Sequence, residues 1–265
     1  MELGLAGKRA IVTGGSRGIG LAVARSLVAE GVHVAVVARA RADLEAAARD
    51  LSAGGGRAVA IPADTGDDAS VARMVEAAAE ALGGVDILVN AAAQPMGQSA
   101  PPTLEEITTE LFWDDVNVKV MGYLRCSQLV APHLVRQGWG RIINISGLGA
   151  RSTGSIIGSV RNVGVAALTK NLADRLGRHG VNVTVVHPGL TRTERTPAVL
   201  AARASQSGLS TEEVEAQLAR TNTIGRLVDA AEVADVVTFL ASPRSVAING
   251  DAIACGGGAP GAIHY

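Results

Sequence analysis

Thr13-Gly14-Gly15-Ser16-Arg17-Gly18-Ile19-Gly20 follows the short apolar run Ala10-Ile11-Val12 and leads into a helix-like segment from Leu21 to Glu30. Strand, glycine turn, helix is the context that gives such a motif meaning. Gly14 can take backbone angles that a Cβ would forbid. The bare backbone of Gly18 can approach a pyrophosphate closely, and Gly20 lets the helix pack tightly on the strand. The helix then aims its free N–H groups and the positive end of its dipole at the phosphates. Ser16, Arg17 and Ile19 fill the same turn and join the glycines as candidate nucleotide contacts.

Outward from this turn, strand and helix patterns alternate. Val32 to Val37 is a near-continuous apolar run, as a parallel strand buried on both faces requires. A helix follows from Arg39 to Leu51, and Ala58-Val59-Ala60-Ile61 is a third strand, ended by Pro62. Asp67 to Leu82 is helical, with Val71, Met74, Val75 and Ala78 on one stripe. Val85 to Val89 forms the fourth strand. Thr103-Leu104-Glu105-Glu106 has the form of a capping box ahead of a long helix from Leu111 to Arg136. Arg141 to Ile145 is the fifth strand, Gly158 to Arg178 a long helix, and Val181 to Val186 the sixth strand. Glu232 to Leu240 is the last helix and Asp251 to Cys255 the last strand. The alternation predicts an α/β fold, a Rossmann-type doubly wound parallel β-sheet with helices on both faces, in a single domain over residues 1–265. The stretch 191–223 breaks the rhythm. It is polar and follows a strand's carboxyl end, where such folds bind ligands, so it reads as a substrate loop or lid, or as a solvated connection.

Composition narrows the function classes. Of the 265 residues 48% are apolar, enough for a sizeable core, but only 2% are aromatic, so Ala, Val, Ile, Leu and Gly do the packing. The net charge is −1, and no basic stripe argues for nucleic acid. No apolar run approaches the ~20 residues of a membrane span, and the chain opens almost directly on a strand, with no signal peptide pattern ahead of it. Cys126 and Cys255 form neither a disulfide framework nor a metal cluster. The expectation is a cytoplasmic protein acting on a small molecule, without metal, membrane or nucleic acid.

Taken in order, several motifs resemble those of the short-chain dehydrogenases/reductases over nearly the whole chain. The turn from Thr13 to Gly20 matches the family's cofactor loop. Asp64, followed by Thr65, matches the acid that contacts the adenine. Asn90-Ala91-Ala92-Ala93 resembles the motif that steadies the sheet beside the cofactor. Val116-Asn117-Val118 resembles the segment holding the catalytic asparagine. His187-Pro188-Gly189-Leu190-Thr191-Arg192-Thr193 resembles the Pro-Gly motif that closes over the nicotinamide. Asn249-Gly250-Asp251 through Gly257 resembles the C-terminal strand. The resemblance implies that Asn90, Ala91, Pro188, Gly189, Thr191 and Thr193 join the cofactor site, and that the protein is a homo-tetramer or homo-dimer. NAD-preferring relatives place a carboxylate at the end of the second strand. Here Ala38 stands there, followed by Arg39, and Arg17 lies in the adjacent turn. Arginine binds the extra phosphate of NADP by charge-assisted hydrogen bonds, so NADP(H) is favoured over NAD(H).

The family's reacting group is an asparagine, a serine, a tyrosine and a lysine. Counting back from Leu168-Thr169-Lys170-Asn171-Leu172-Ala173 places Gly158 at the tyrosine position and Asn162 at the lysine position. Neither can exchange a proton. Slippage gives no rescue, because the tyrosines are Tyr123 and Tyr265 and no lysine lies between Lys119 and Lys170. The family's serine falls at Gly147, and Ser146 can substitute if the loop is shifted; Ser152, Thr153, Ser155 and Ser159 read as loop or cap hydroxyls. Asn117 stands as the remaining tetrad member. His187, at the end of the sixth strand, is the best replacement proton donor, since histidine titrates near neutral pH. Arg161 can supply charge but not a proton. Tyr123 and Trp113 read as helix-packing residues, and Tyr265 as a tail residue within reach of a neighbouring subunit. Two functions stay open. One is an NADP(H)-dependent oxidoreductase acting on a small carbonyl, alcohol or alkene with atypical proton delivery. The other is an inactive NADP-binding or assembly protein that retains the fold.

Overall fold

The computed structural model describes residues 2–53, 55–94 and 101–261. The glycine turn sits between strand β1 (Arg9–Thr13) and helix α1 (Gly18–Ala29). Then follow β2 (His33–Ala38), α2 (Arg41–Ala53), β3 (Ala58–Pro62), α3 (Asp68–Leu82) and β4 (Ile87–Asn90). The second half continues with α4 (Thr109–Val116), α5 (Gly122–Gln137), β5 (Gly140–Ile145), α6 (Ile156–Leu176) and β6 (Val181–Pro188). The chain closes with a short β7 (Thr191–Arg192), α7 (Thr196–Ser207), α8 (Thr211–Ala219), β8 (Val228–Asp229), α9 (Ala230–Ala241) and β9 (Ala252–Cys255).

Seven strands form one parallel sheet in the order β3-β2-β1-β4-β5-β6-β9, and β7 pairs with β8 apart from it. Successive side chains of a strand face opposite sides, and both sides are covered. Ala10, Val12, Val34 and Val36 pack towards Val23 and Leu27 of α1 and Val237 and Leu240 of α9. Their neighbours Ile11, Ala35, Val37 and Leu88 pack towards Val71 and Met74 of α3 and Val130 and Leu134 of α5. The predicted α3 stripe is buried, and the Asp67 side chain caps the helix by accepting the Ser70 N–H at 2.6 Å. The order reverses between β1 and β4, and an open α/β sheet has its ligand crevice at such a reversal.

Two predicted elements differ in detail. The long helix over 111–136 is not uniform: between α4 and α5, Asn117–Met121 forms a π-helical turn, which shifts every later side chain around the axis. The connection over 191–223 holds two helices and one strand of the small β7–β8 pair. No helix among the described residues is long and apolar enough to cross a membrane.

Candidate active site

A first cavity opens at the carboxyl ends of β1, β2 and β4. The glycine turn, Arg39, Asp64, Thr65 and Ala91 line it, with Thr193 and Glu194 closing one side. Gly14 holds φ +66°, and a Cβ there would come within 2.7 Å of the Ala91 carbonyl oxygen. A Cβ on Gly20 would collide with the Gly14 carbonyl. Gly18 differs: at φ +57° a Cβ would meet only Thr193, so the missing side chain leaves the α1 N-terminus open. Its N–H already holds an anion, the Glu194 carboxylate, at 3.1 Å. Arg17 and Arg39 have no ion-pair partner among the described residues. Thr13 Oγ1 accepts the Ala91 and Ala92 N–H groups at 3.1 and 3.3 Å and so fixes the β4 end of the wall. Asp64 Oδ1 accepts the Gly66 N–H at 2.9 Å. The bare backbone donors, the open cradle and the two unpaired guanidinium groups fit a dinucleotide phosphate chain.

A second cavity of about 900 Å³ adjoins the first. Small-molecule sites typically span 300–1,000 Å³. Pro188, Gly189, Thr191 and Thr193 line it on the β6 side, and Gly158, Arg161 and Asn162 on the α6 side. Ile19, Ala93, Gln94, Lys119, Ser146 and Thr193 line both cavities. Ser146 Oγ donates to the Asn162 carbonyl at 3.1 Å. Lys119 is 5% exposed, and its Nζ donates to the Ser146 carbonyl at 3.0 Å. Burial and the nearby Arg161 lower the Lys119 pKa to about 7, against a weaker pull from Asp115. Arg161 Nη1 donates to both Asp115 carboxylate oxygens at 2.7 Å, a buried pair in the cavity wall. Two buried polar atoms in this wall, Arg161 Nε and Asn162 Oδ1, have no hydrogen-bond partner among the described residues.

Of the expected cofactor residues, Pro188, Gly189 and Thr191 line only the second cavity, Asn90 lines neither, and the rest line the first. Asn90 is fully buried and lines neither cavity; its Nδ2 donates to Asn144 Oδ1 at 2.9 Å, and Asn144 donates to Thr169 at 2.9 Å. It ties β4, β5 and α6 together behind the cleft. Two expected reacting residues are also displaced. Asn117, the first residue of the π turn, lines neither cavity; its Nδ2 donates to the Gly66 carbonyl at 3.1 Å. His187 is 1% exposed and lines neither cavity; its Nδ1 accepts the Gly147 N–H at 3.4 Å. Burial, with Arg151 and Lys119 nearby, lowers its pKa to about 4, so it is neutral at pH 7. Of the three expected reacting residues, Ser146 alone stands at the junction. Ser155 caps α6 by accepting the Gly158 N–H at 3.1 Å, and Ser152 and Ser159 donate to backbone carbonyls.

Tyr123 is a packing residue as expected, its hydroxyl donating to the Ile145 carbonyl at 2.9 Å. Trp113 is not: it is 59% exposed and meets Phe112 edge-on. Tyr265 lies outside the described residues. The residue that sequence reasoning misses is Lys119. Its signal is slight, a lysine set in the apolar run Val116-Asn117-Val118-Lys119-Val120-Met121.

Residues 8–204 match the short chain dehydrogenase family. The chain is 36% identical over 253 residues to the short-chain reductase protein NovJ of Streptomyces niveus, covering 95% of this chain and 93% of that protein. It superimposes on the crystal structure of L-sorbose reductase from Gluconobacter frateurii, complexed with NADPH and L-sorbose, with a TM-score of 0.93 and 28% identity, covering 99% of this chain and all of that one. A short chain dehydrogenase from Burkholderia cenocepacia in complex with NADP gives a TM-score of 0.82 at 34% identity, covering 96% and 98% of the two chains.

Proposed function

The chain belongs to the short-chain dehydrogenase/reductase family, and from that premise we propose that it is an NADP(H)-dependent reductase of a small carbonyl compound with atypical proton delivery. The observation that carries this reading is the junction of the two cavities at Lys119 and Ser146. One cavity offers phosphate donors, the other has room for a small molecule, and the two meet where a nicotinamide would face its substrate. Arg17 and Arg39 support NADP(H) over NAD(H), since no carboxylate ends β2 and two arginines line the cleft. A bound NADPH supplies the hydride and its electron pair. The protein would bind and orient the reactants, which by itself can supply several kcal/mol of catalysis.

Gly158 and Asn162 take the places of the usual tyrosine and lysine in this reading. Both line the substrate cavity. Asn162 Nδ2 lies 3.1 Å from where a Cβ on Gly147 would stand, so its amide occupies the space a serine at 147 would need. The segment 191–223 acts as a lid, anchored at the cavity by Thr193 and Glu194. Ile156, Val160 and Val163 form an exposed apolar stripe on α6 that supports a homo-dimer or homo-tetramer. A cytoplasmic setting is kept.

The second reading, an NADP-binding protein without chemistry, is favoured by the loss of both titrating groups from α6. NADPH consumption with a ketone panel separates the two, using the wild type and the double variant Gly158→Tyr, Asn162→Lys. Turnover by the wild type supports the reductase. An inactive wild type that binds NADPH, beside an active double variant, supports the second reading.

A further inference from the structure

Among the described residues, Lys119 is the one titratable group that lines both the nucleotide cavity and the substrate cavity. Its ammonium has three donors, and one is used, on the Ser146 carbonyl at 3.0 Å. It enters from the π turn between α4 and α5, whereas the lysine that the family resemblance leads one to expect would come from α6. The Asp115 carboxylate does not neutralise it, being held by Arg161 through two hydrogen bonds of 2.7 Å. The other candidates are worse placed. His187 and Tyr123 are both buried and line neither cavity.

We propose that Lys119 is the proton donor of this site, delivering its ammonium proton to the substrate oxygen as the carbonyl is reduced. The proposal rests on the reductase reading above. As the carbonyl carbon accepts hydride, the C=O π pair moves onto oxygen. Oxygen then takes a proton from Lys119, whose N–H pair returns to nitrogen. The neutral amine regains a proton from water. Burial and Arg161 favour the neutral amine and Asp115 opposes them; His187, whose pKa Lys119 helps to lower, is a further titratable group beside it. A group balanced near pH 7 can give and take a proton with little bias, as general acid–base catalysis requires.

The chain has three lysines, Lys8, Lys119 and Lys170, so protein carrying ¹³C at lysine Cε gives a spectrum that Lys119→Met assigns by loss of one resonance. In the nucleotide-free protein that resonance should titrate near pH 7. The kcat of NADPH-dependent ketone reduction should fall as pH rises through the same value, because the ammonium form is the acid. Lys119→Met should lose about 10²- to 10⁴-fold in kcat. Lys119→Arg keeps the charge but cannot release a proton, and should not restore the rate. Small primary amines should rescue Lys119→Met in proportion to their protonated concentration. NADPH fluorescence checks that each variant is folded. A resonance that titrates near the ordinary lysine value of ~10.4, or a Lys119→Met or Lys119→Arg enzyme with wild-type kcat and pH profile, overturns the proposal. A wild type that reduces nothing overturns the reductase reading and this role with it, and is distinct from a wild type whose activity survives loss of Lys119.

Discussion

Asp115 and Arg161 show what individual residues cost and do at this site. Both side chains are under one-tenth exposed, and each is tolerable only because the other neutralises it. Asp115→Asn leaves a buried guanidinium without its counter-charge and should destabilise the fold by about 3–5 kcal/mol in urea denaturation. Replacing both residues with apolar ones should recover much of that loss. His187 gives a pH test. Its folded pKa, about 4, lies below the ordinary 6.5, so the unfolded chain binds a proton first as pH falls. Its contribution is therefore complete above pH 6.5 and is lost between 6.5 and 4. Between pH 7 and 4.5 the wild type should lose ~2 kcal/mol more stability in urea denaturation than His187→Asn does. Neither burial is legible in the string. His187 stands beside Pro188-Gly189 in a motif that reads as cofactor-facing, yet in a parallel strand adjacent side chains face opposite sides, and the cleft falls on the other parity.

The glycine turn was legible as an element because its chemistry is local: an apolar strand, glycines at fixed offsets, then a helix. Gly20 is the most stringent position, and Gly20→Ala must push α1 away from β1. It should abolish NADPH binding in a fluorescence titration and lower the urea midpoint by the equivalent of ~1–3 kcal/mol. The π turn over Asn117–Met121 is the opposite case. A motif resemblance places Asn117 at the reacting centre, whereas in the fold its side chain bonds the Gly66 carbonyl, and Lys119 of the π turn reaches the Ser146 carbonyl. No residue type marks such a turn, so the helix was legible and its inner face was not. In the 191–223 segment, the Glu194 carboxylate occupies the Gly18 N–H. It competes with a phosphate for that donor and repels it. Glu194→Gln should tighten NADPH binding several-fold in the same titration, an effect that shrinks at high salt.

The whole molecule follows from alternation. Continuous apolar runs such as Val32 to Val37 need cover on both faces, and the intervening amphipathic helices provide it. This makes the doubly wound parallel sheet legible without any contact being known. The second cavity was less so, because its walls come from segments distant in sequence: Asp115 and Lys119, Ser146, Arg161 and Asn162, then Thr191 and Thr193. The fold thus supplies the nucleotide cleft, while the proposed proton source depends on side chains that only the folded chain brings together. The most direct test uses NADPH deuterated at its transferable position with the wild-type protein and a panel of small ketones, read by mass spectrometry. Deuterium on the carbinol carbon of an alcohol product is the predicted result. Bound NADPH with no labelled product, beside labelled product from the Gly158→Tyr, Asn162→Lys variant in the same panel, would contradict the account.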